Sequence, residues 1–564
     1  MSFHTRPANM ASAAGFTTTS LSALPLQGLV AVDGMWGVDW EPIVSALAAA
    51  GGSPFTLIRT TDFLQAPADL RAHFRPWLTE NPVFGHVCTR PLSDYFDVLA
   101  LERAVAEARA SGGAVVVVGP FALGVGTPDL RLYCDLPREE IIRRQAAATY
   151  RNLGDDRTVS SGAKYKDAYY VEWPLLEAHK RQVLAGVDYY VDCSNASQPV
   201  AVSMKALAAA IADASSRPFR CKPFFMPGVW GGQRLKQVAD LPAEWPNCAW
   251  DFEIVAPENS FMIAVGEEQV TVPFHLVLWL RAREVMGELV YRQFGEYFPI
   301  RINYLDTMGG TNLSLQVHPH HTYMREHFGE PIGQDESYYV VEQEPGSQVY
   351  VGLKEETTQE SLREAVRRAE EEAVPFAVTE YVNAWDAKVG DLFLIPGGTV
   401  HCSGAQNLVL EISSTPYWYT FKIYDYLRLD LDGKPRPINS AHAFEVIDFT
   451  RKTDWVRRHL IPEPLLLRQE AGGAEYHIGS HAFTFYGINR LHLNGLMRDR
   501  TDGRFLLLTV VKGEGVRILP PDGDEPVVEI AYLETYVVPA GFGEFRLQAM
   551  NGESCQVVKT YVRG

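Results

Sequence analysis

Cysteine is scarce in this chain: seven residues in 564, with no two forming a C-x-x-C pair. That excludes a disulfide framework and fits a reducing compartment. Long apolar runs are missing too. No stretch of 18 apolar residues appears, so no membrane span is expected. The opening "MSFHTRPANMASAAGFTTTSLSALPLQG" lacks the compact apolar core of a secretory signal. Positive charge is in deficit, with 51 Lys and Arg against 69 Asp and Glu and a formal net charge of -18. Such a surface repels phosphate backbones, which argues against a general grip on nucleic acid. A small anionic substrate remains compatible, because local charge decides that. A cytoplasmic protein with neither nucleic-acid nor membrane partners is expected.

What is present is a globular composition, 46% hydrophobic and 21% charged. The length calls for two to four domains. Residues 1–26 read as a disordered tail. From 27 to 215, short apolar runs ("GLVAVDGMW", "FTLIRTTDF", "AVVVVGPFAL", "LRLYCDL", "DYYVDCS") alternate with helix-period segments ("DVLALERAVAEARASG", "PREEIIRRQAAATYRNLG", "PVAVSMKALAAAIADASS"). This alternation predicts an α/β domain on a parallel sheet with helices on both faces. "ASSRP" reads as a linker. Beyond it, brief alternating runs broken by Gly, Pro and Asp turns predict all-β barrels or sandwiches. The expected bounds are 219–464, with a helical insertion near 357–373, and a second, smaller barrel over 465–564.

One further absence bears on function. "GMWGVDWE" stands where a phosphate loop would, between a first strand and a helix. In GxxxxGK[ST], backbone N–H groups cradle phosphates, the lysine neutralises them and the hydroxyl holds magnesium. Aligned on Gly34, those last positions are Asp39, Trp40 and Glu41, and two carboxylates would repel a triphosphate. With "RTTDFL" (Asp62), "VVVVGPFAL" (Val118) and the arginine-rich "PREEIIRRQAAATYRN", this half resembles uridine-kinase-like P-loop kinases. The resemblance implies a degenerate kinase-like fold that has lost ATP chemistry and serves a structural or oligomerising role. A homodimer through this half is one expectation. A sugar or nucleoside kinase using Asp62 is the alternative.

The β half carries a different signal. In "LSLQVHPHH", Leu313 to His321, Gln316 and His318 alternate, so one strand aims both at a common point. His320 and His321 are placed on the rim. "VGDLFLIPGGTVHCSG" follows G-x5-P-x-G-x-x-H, a strand, a glycine turn and then His401. Between them, Glu336 begins the strand "ESYYVVE". Gln316, His318, Glu336 and His401 form a mixed N/O set suited to zinc or another first-row divalent metal. With one anionic ligand, the site keeps positive charge and Lewis acidity.

These motifs, with "PGVWGGQRL", "FPIRINYLDT" and "LEISSTPYWYTFKIYDYLR", resemble the type I phosphomannose isomerases in their short bacterial form. The resemblance covers roughly residues 220–564. It implies cupin jelly-roll domains, zinc at those four residues, and aldose–ketose isomerisation through a cis-enediol or enediolate. Glu411 and Lys422 are the candidate catalytic residues, and Ser314 and Arg428 candidate substrate contacts, with Arg325 a further cation. The chain departs from the family's cations. Lys422 replaces the arginine of Y-R-x-Y-D, and Asn303, Asn312 and Gln334 stand where relatives carry lysine. The expected substrate is therefore mannose 6-phosphate or a related sugar or sugar phosphate. The competing reading is a non-catalytic sugar-binding regulator. The terminal barrel has no histidine after its Pro-Ala-Gly turn and is read as metal-free.

Overall fold

The computed structural model describes all residues except 1–2, 13–15, 50–53, 430–432 and 434–435. The chain divides into two compact units.

The first comprises Ala8–Ala214 and Ser260–Leu280. Its seven-stranded sheet runs in the order Thr18–Thr19, Val200–Ser203, Tyr189–Asp192, Leu130–Asp135, Leu29–Gly34, Ala114–Val118, Phe55–Arg59. The last five are mutually parallel, while Val200–Ser203 and Thr18–Thr19 add antiparallel at one edge. The sheet is thus mixed rather than purely parallel. Strand Leu29–Gly34 is buried along its whole length, its apolar run Leu29–Val32 leading into Asp33, which is buried on hydrogen bonds from Phe121 and Leu123 N–H. Helix Val98–Ala110, capped by Asp97 accepting from the Ala100 N–H at 3.0 Å, lays Leu101 and Val105 on Leu29, Ala31, Val115 and Val117. Those two positions are four apart, one helical stripe.

Three expectations change. The residues described in the predicted tail are ordered. Asn9–Met10 pairs in parallel with strand Ser260–Val265, and Phe16, Leu21 and Leu24 are buried, which repays their ordering. Residues 1–2 and 13–15 of that tail lie outside the described set. "PVAVSMKALAAAIADASS" begins as strand Val200–Ser203, its β-branched residues pairing before helix Met204–Ala214 starts. Segment Ser260–Leu280, which lies within 219–464 in sequence, joins this unit through strands Ser260–Val265 and Glu268–Pro273.

Glu172 is buried in this unit, and burial pushes its carboxyl up to about 7 against hydrogen bonds from Leu153 N–H and Tyr150. The folded state therefore holds a proton that the unfolded chain releases near pH 4.5. Stability is present below that pH and falls as pH rises towards 7, by an amount on the order of 2–3 kcal/mol. Glu172→Gln keeps an acceptor and removes the titration. Urea midpoints should be higher than wild type at pH 8 and equal at pH 4.5.

The second unit comprises Met1–Pro7, Ser215–Asn259 and Arg281–Gly564. It holds two pairs of antiparallel sheets. In the first pair, six strands run Leu392–Ile395, Glu336–Gln343, Asn407–Ser414, Ile300–Asp306, Trp250–Ile254, Phe224–Met226, and five run Val382–Asp386, Gln348–Leu353, His401–Ser403, Leu315–Val317, Phe421–Tyr424. The C-terminal pair has six and four strands, with Leu491, Leu508 and Val557 from one sheet meeting Val516, Ile530 and Leu547 from the other. The helical insertion is Gln359–Glu371, opened by a Thr358–Ser361 capping box and burying Leu362, Val366 and Ala369. Among the described residues, no helix is long and apolar enough to cross a membrane.

Candidate metal centre

The first sandwich gathers its polar residues inward. Strand Leu315–Val317 lies between His401–Ser403 and Phe421–Tyr424, with Gln316 opposite both His401 and Lys422. Residues directly opposite share a face, so Gln316, His401 and Lys422 form a row across the sheet. On the other sheet, Glu336 pairs with Ser413, Tyr338 with Glu411, and Asn303 with Glu411.

Three side chains converge. His318, Glu336 and His401 are buried, and their ligand atoms lie within 4.8 Å of one another. His318 Nε2 is 3.1 Å and His401 Nε2 is 3.2 Å from the Glu336 carboxylate. The Gln316 amide stands 3.3 Å and 3.4 Å from the same two ring nitrogens. Backbone carbonyls fix both rings: His318 Nδ1 lies 3.0 Å from Tyr419 O and His401 Nδ1 2.8 Å from Thr399 O. Each Nδ1 therefore carries a proton, and each Nε2 is aimed inward at the Glu336 carboxylate.

The turn before His401 is built for this. Thr399 Oγ1 donates to Pro396 O at 2.7 Å, and Gly398, at φ +92°, donates its N–H to His318 O at 2.8 Å. Left-handed backbone is what glycine permits there. One ligand strand is thereby tied to the other.

These residues fit a divalent metal. Two imidazole nitrogens and a carboxylate converge on one point, so a cation placed between them would be held by all three. Glu336 Oε2, Gln334 Oε1 and Asn303 Oδ1 are buried without a hydrogen-bond partner. Burial opposes ionisation of Glu336, yet the two imidazoles hold its carboxyl well below the usual range. Burial likewise opposes a proton on His318, but Glu336 outweighs it and the pKa rises; on His401 burial wins and the pKa falls. Two imidazoles and one carboxylate, with the Gln316 side-chain amide beside them, match the donor chemistry of zinc and its neighbours.

The remaining predicted residues take varied places. Glu411 is buried, accepts from Asn303 Nδ2 at 3.1 Å and pairs with Arg301; burial pushes its carboxyl up to about 7 although Arg301 pulls it down. Ser314 is buried and donates to Gln316 Oε1 at 3.2 Å. Arg428 is engaged by Asp425, by Thr311 Oγ1 at 2.9 Å and by Asn312 O at 2.7 Å, clamping a loop beside the site. Arg325 is exposed. His320 caps helix His321–Phe328, and His321 Nδ1 accepts from Gly333 N–H at 2.7 Å.

Arg301 was not singled out from sequence. Its Nε donates to Ser413 Oγ at 2.8 Å, and its Nη2 reaches Glu411 and, at 3.3 Å, Glu336. It precedes Asn303 by two residues on one strand, hence on the same face; that alternation was the available signal. At two of the lysine-to-amide positions the amide donates to a site carboxylate: Gln334 to Glu336 at 2.6 Å and Asn303 to Glu411.

Comparison with known proteins decides the relationship. Mannose-6-phosphate isomerase ManA of Bacillus subtilis (strain 168) is 27% identical over 336 residues, 59% of this chain and 96% of that protein. This chain is homologous to mannose-6-phosphate isomerases. The mannose-6-phosphate isomerase of Streptococcus mutans serotype c is 26% identical over 289 residues, covering 51% of this chain and 82% of that protein. The crystal structure of the mannose 6-phosphate isomerase from Bacillus subtilis superposes with a TM-score of 0.50 at 20% identity, covering 61% of this chain and 100% of that one. The chain is an isomerase-like enzyme with that fold in part of its length. Residues 15–216 match a family described as "Domain of unknown function (DUF8485)".

Proposed function

We propose that this chain is a metal-dependent aldose–ketose isomerase acting on mannose 6-phosphate or a closely related sugar. The observation that carries the reading is the buried convergence of His318, Glu336 and His401, with Gln316 beside it. Those four residues would hold zinc or another first-row divalent ion, which when bound polarises the sugar's hydroxyl and carbonyl oxygens.

The reaction moves one proton between C1 and C2. Glu411 is the carboxyl assigned to take and return it, at Oε2, where its partner is a neutral amide rather than the Arg301 guanidinium. Arg301 and Ser413 hold the other oxygen and fix the carboxyl's orientation. Lys422, opposite Gln316 on the same sheet face, is assigned to the substrate's anionic oxygen. A lysine there supplies charge without the bidentate fork, so grip on a phosphate should be weaker than an arginine's. Zinc-loaded protein should convert mannose 6-phosphate to fructose 6-phosphate, and Lys422→Ala should raise KM more for the phosphorylated sugar than for free mannose. Folded, metal-loaded protein that turns over neither sugar would sink the reading.

The α/β unit reads as kinase-like in fold without nucleotide chemistry. Ligands of open α/β sheets bind at the strand C-termini where strand order reverses, which here is the end of Leu29–Gly34. The Phe121 and Leu123 N–H groups there donate to Asp33 at 3.0 and 2.8 Å, and His179 Nε2 lies 2.7 Å from it. In the loop, Gly37 O accepts from Arg144 at 2.7 Å. An internal carboxylate thus takes donors that a phosphate would need.

A further inference from the structure

The C-terminal sandwich has a cavity of about 730 Å³, a size that suits a small ligand. Its position follows from a change in the inward-facing residues. Along strand Tyr486–Leu493, Leu491 and Leu493 enter the core, and Asn489, two residues earlier, is buried with them. Along Cys555–Val562, Cys555 and Val557 are core, followed on the same face by Lys559 and Tyr561. Along Leu496–Arg500, Met497 is core and Asp499 follows. Registers Leu493↔Cys555, Leu491↔Val557 and Asn489↔Lys559 bring the polar positions to the same end. One end of this sandwich is therefore apolar inside, and the other lines the cavity with polar groups.

That lining is ordered. Lys559 Nζ lies 2.6 Å from Glu475 and 2.9 Å from Asp499. Asn489 donates to Glu475 Oε1 at 2.7 Å, and Arg468 Nε to Glu475 Oε2 at 2.7 Å. Arg468 Nη2 is buried and lies 3.5 Å from Asp499 Oδ1, too far for a hydrogen bond. Tyr561 OH reaches Asn489 only at 3.4 Å. Two charge-balanced carboxylates keep lone pairs to accept from hydroxyls, and the Tyr561 phenol, only weakly engaged, can donate. No packing requirement explains charged groups there, since burying them costs free energy that apolar residues would spare.

We propose that this cavity is a second sugar site, with Glu475, Asp499, Asn489, Tyr561 and Arg468 contacting the hydroxyls of a free or phosphorylated hexose. Paired carboxylates and an amide match the alternating donors and acceptors of a polyol. Lys559 and Arg468 neutralise Glu475 and Asp499, while Arg498, Arg500, Arg504 and Arg546, also in the lining, could meet a phosphate. The proposal rests on this cavity alone and stands or falls independently of the isomerase site.

The test uses the full chain carrying His401→Ala, titrated calorimetrically with mannose, mannose 6-phosphate and inorganic phosphate. Saturable binding of either sugar is expected, weakened about tenfold by Tyr561→Phe or Asp499→Asn, the scale of one lost hydrogen bond to a charged or buried partner. Thermal melting of each variant confirms that it is folded. Preference between the two sugars tells whether the natural ligand is phosphorylated. Absence of binding by either sugar, with or without binding of inorganic phosphate, or an isotherm that neither substitution moves would overturn the proposal.

Discussion

Replacing His401 with alanine is expected to remove the bound metal and, with it, isomerase turnover. His401 Nε2 lies 3.2 Å from Glu336, and its ring is held from behind by Thr399 O. Without it, His318 and Glu336 remain with the Gln316 amide, too weak a set to hold a divalent ion against water. Changes in groups behind a ligand cost roughly 10–100-fold in affinity; removing the ligand itself should cost at least about a hundredfold. Metal content after dialysis and turnover should fall together. The fold should survive, because the strand pairing of residue 401 with Gln316 and Val351 is made by backbone groups. His320→Ala is the contrast: that exposed residue caps a helix, so a stability loss of about 1 kcal/mol is expected with metal content unchanged. Metal retained by folded His401→Ala protein would contradict the assignment.

Replacing Arg301 with alanine should produce the largest stability loss in the sandwich. Its guanidinium is buried and serves Ser413, Glu411 and Glu336 together. Its loss leaves two carboxylates buried on one sheet face with no cation between them, and breaking a buried pair in this way costs about 3–5 kcal/mol. Urea denaturation should report that loss. Arg301→Lys should recover only part of it, since an ammonium cannot span all three partners with a planar fork. Adding Glu411→Gln to Arg301→Ala should recover much of the remainder by removing one stranded charge. An Arg301→Ala chain as stable as wild type would show that Glu411 is neutral in the folded protein.

The convergence of the candidate metal ligands was legible because its parts are local. Gln316 and His318 declare their shared face by alternation, and His401 is placed by a glycine turn that few other local structures need. Glu336 required only a strand start. Arg301 was not legible, since an arginine in an alternating strand looks like any outward-facing charge until its cross-strand partner is known. That partner, Glu411, lies 110 residues away, and register over such a span is fixed by packing. The partner of Arg428 was not legible either: its charge suggested phosphate, and the structure places it against Asp425, three residues back. The α/β strands were read from unbroken apolar runs. The pairing of Asn9–Met10 with Ser260–Val265 was not, because a two-residue strand leaves no periodicity to detect.

That last pairing bears on how the chain is made. The polypeptide passes from one unit to the other and back, with Ser260–Leu280 returning to the α/β unit after residues 215–259 have entered the other. On the ribosome, the α/β unit cannot close when residue 214 emerges. It must wait for Ser260–Val265 to come out and meet Asn9–Met10, and for Thr271 to bond Asp192. By then the first strands of the β unit are already outside the exit tunnel. The two halves therefore mature as one interleaved product of synthesis, and a gene cut at the linker would separate sequences that the fold has stitched together.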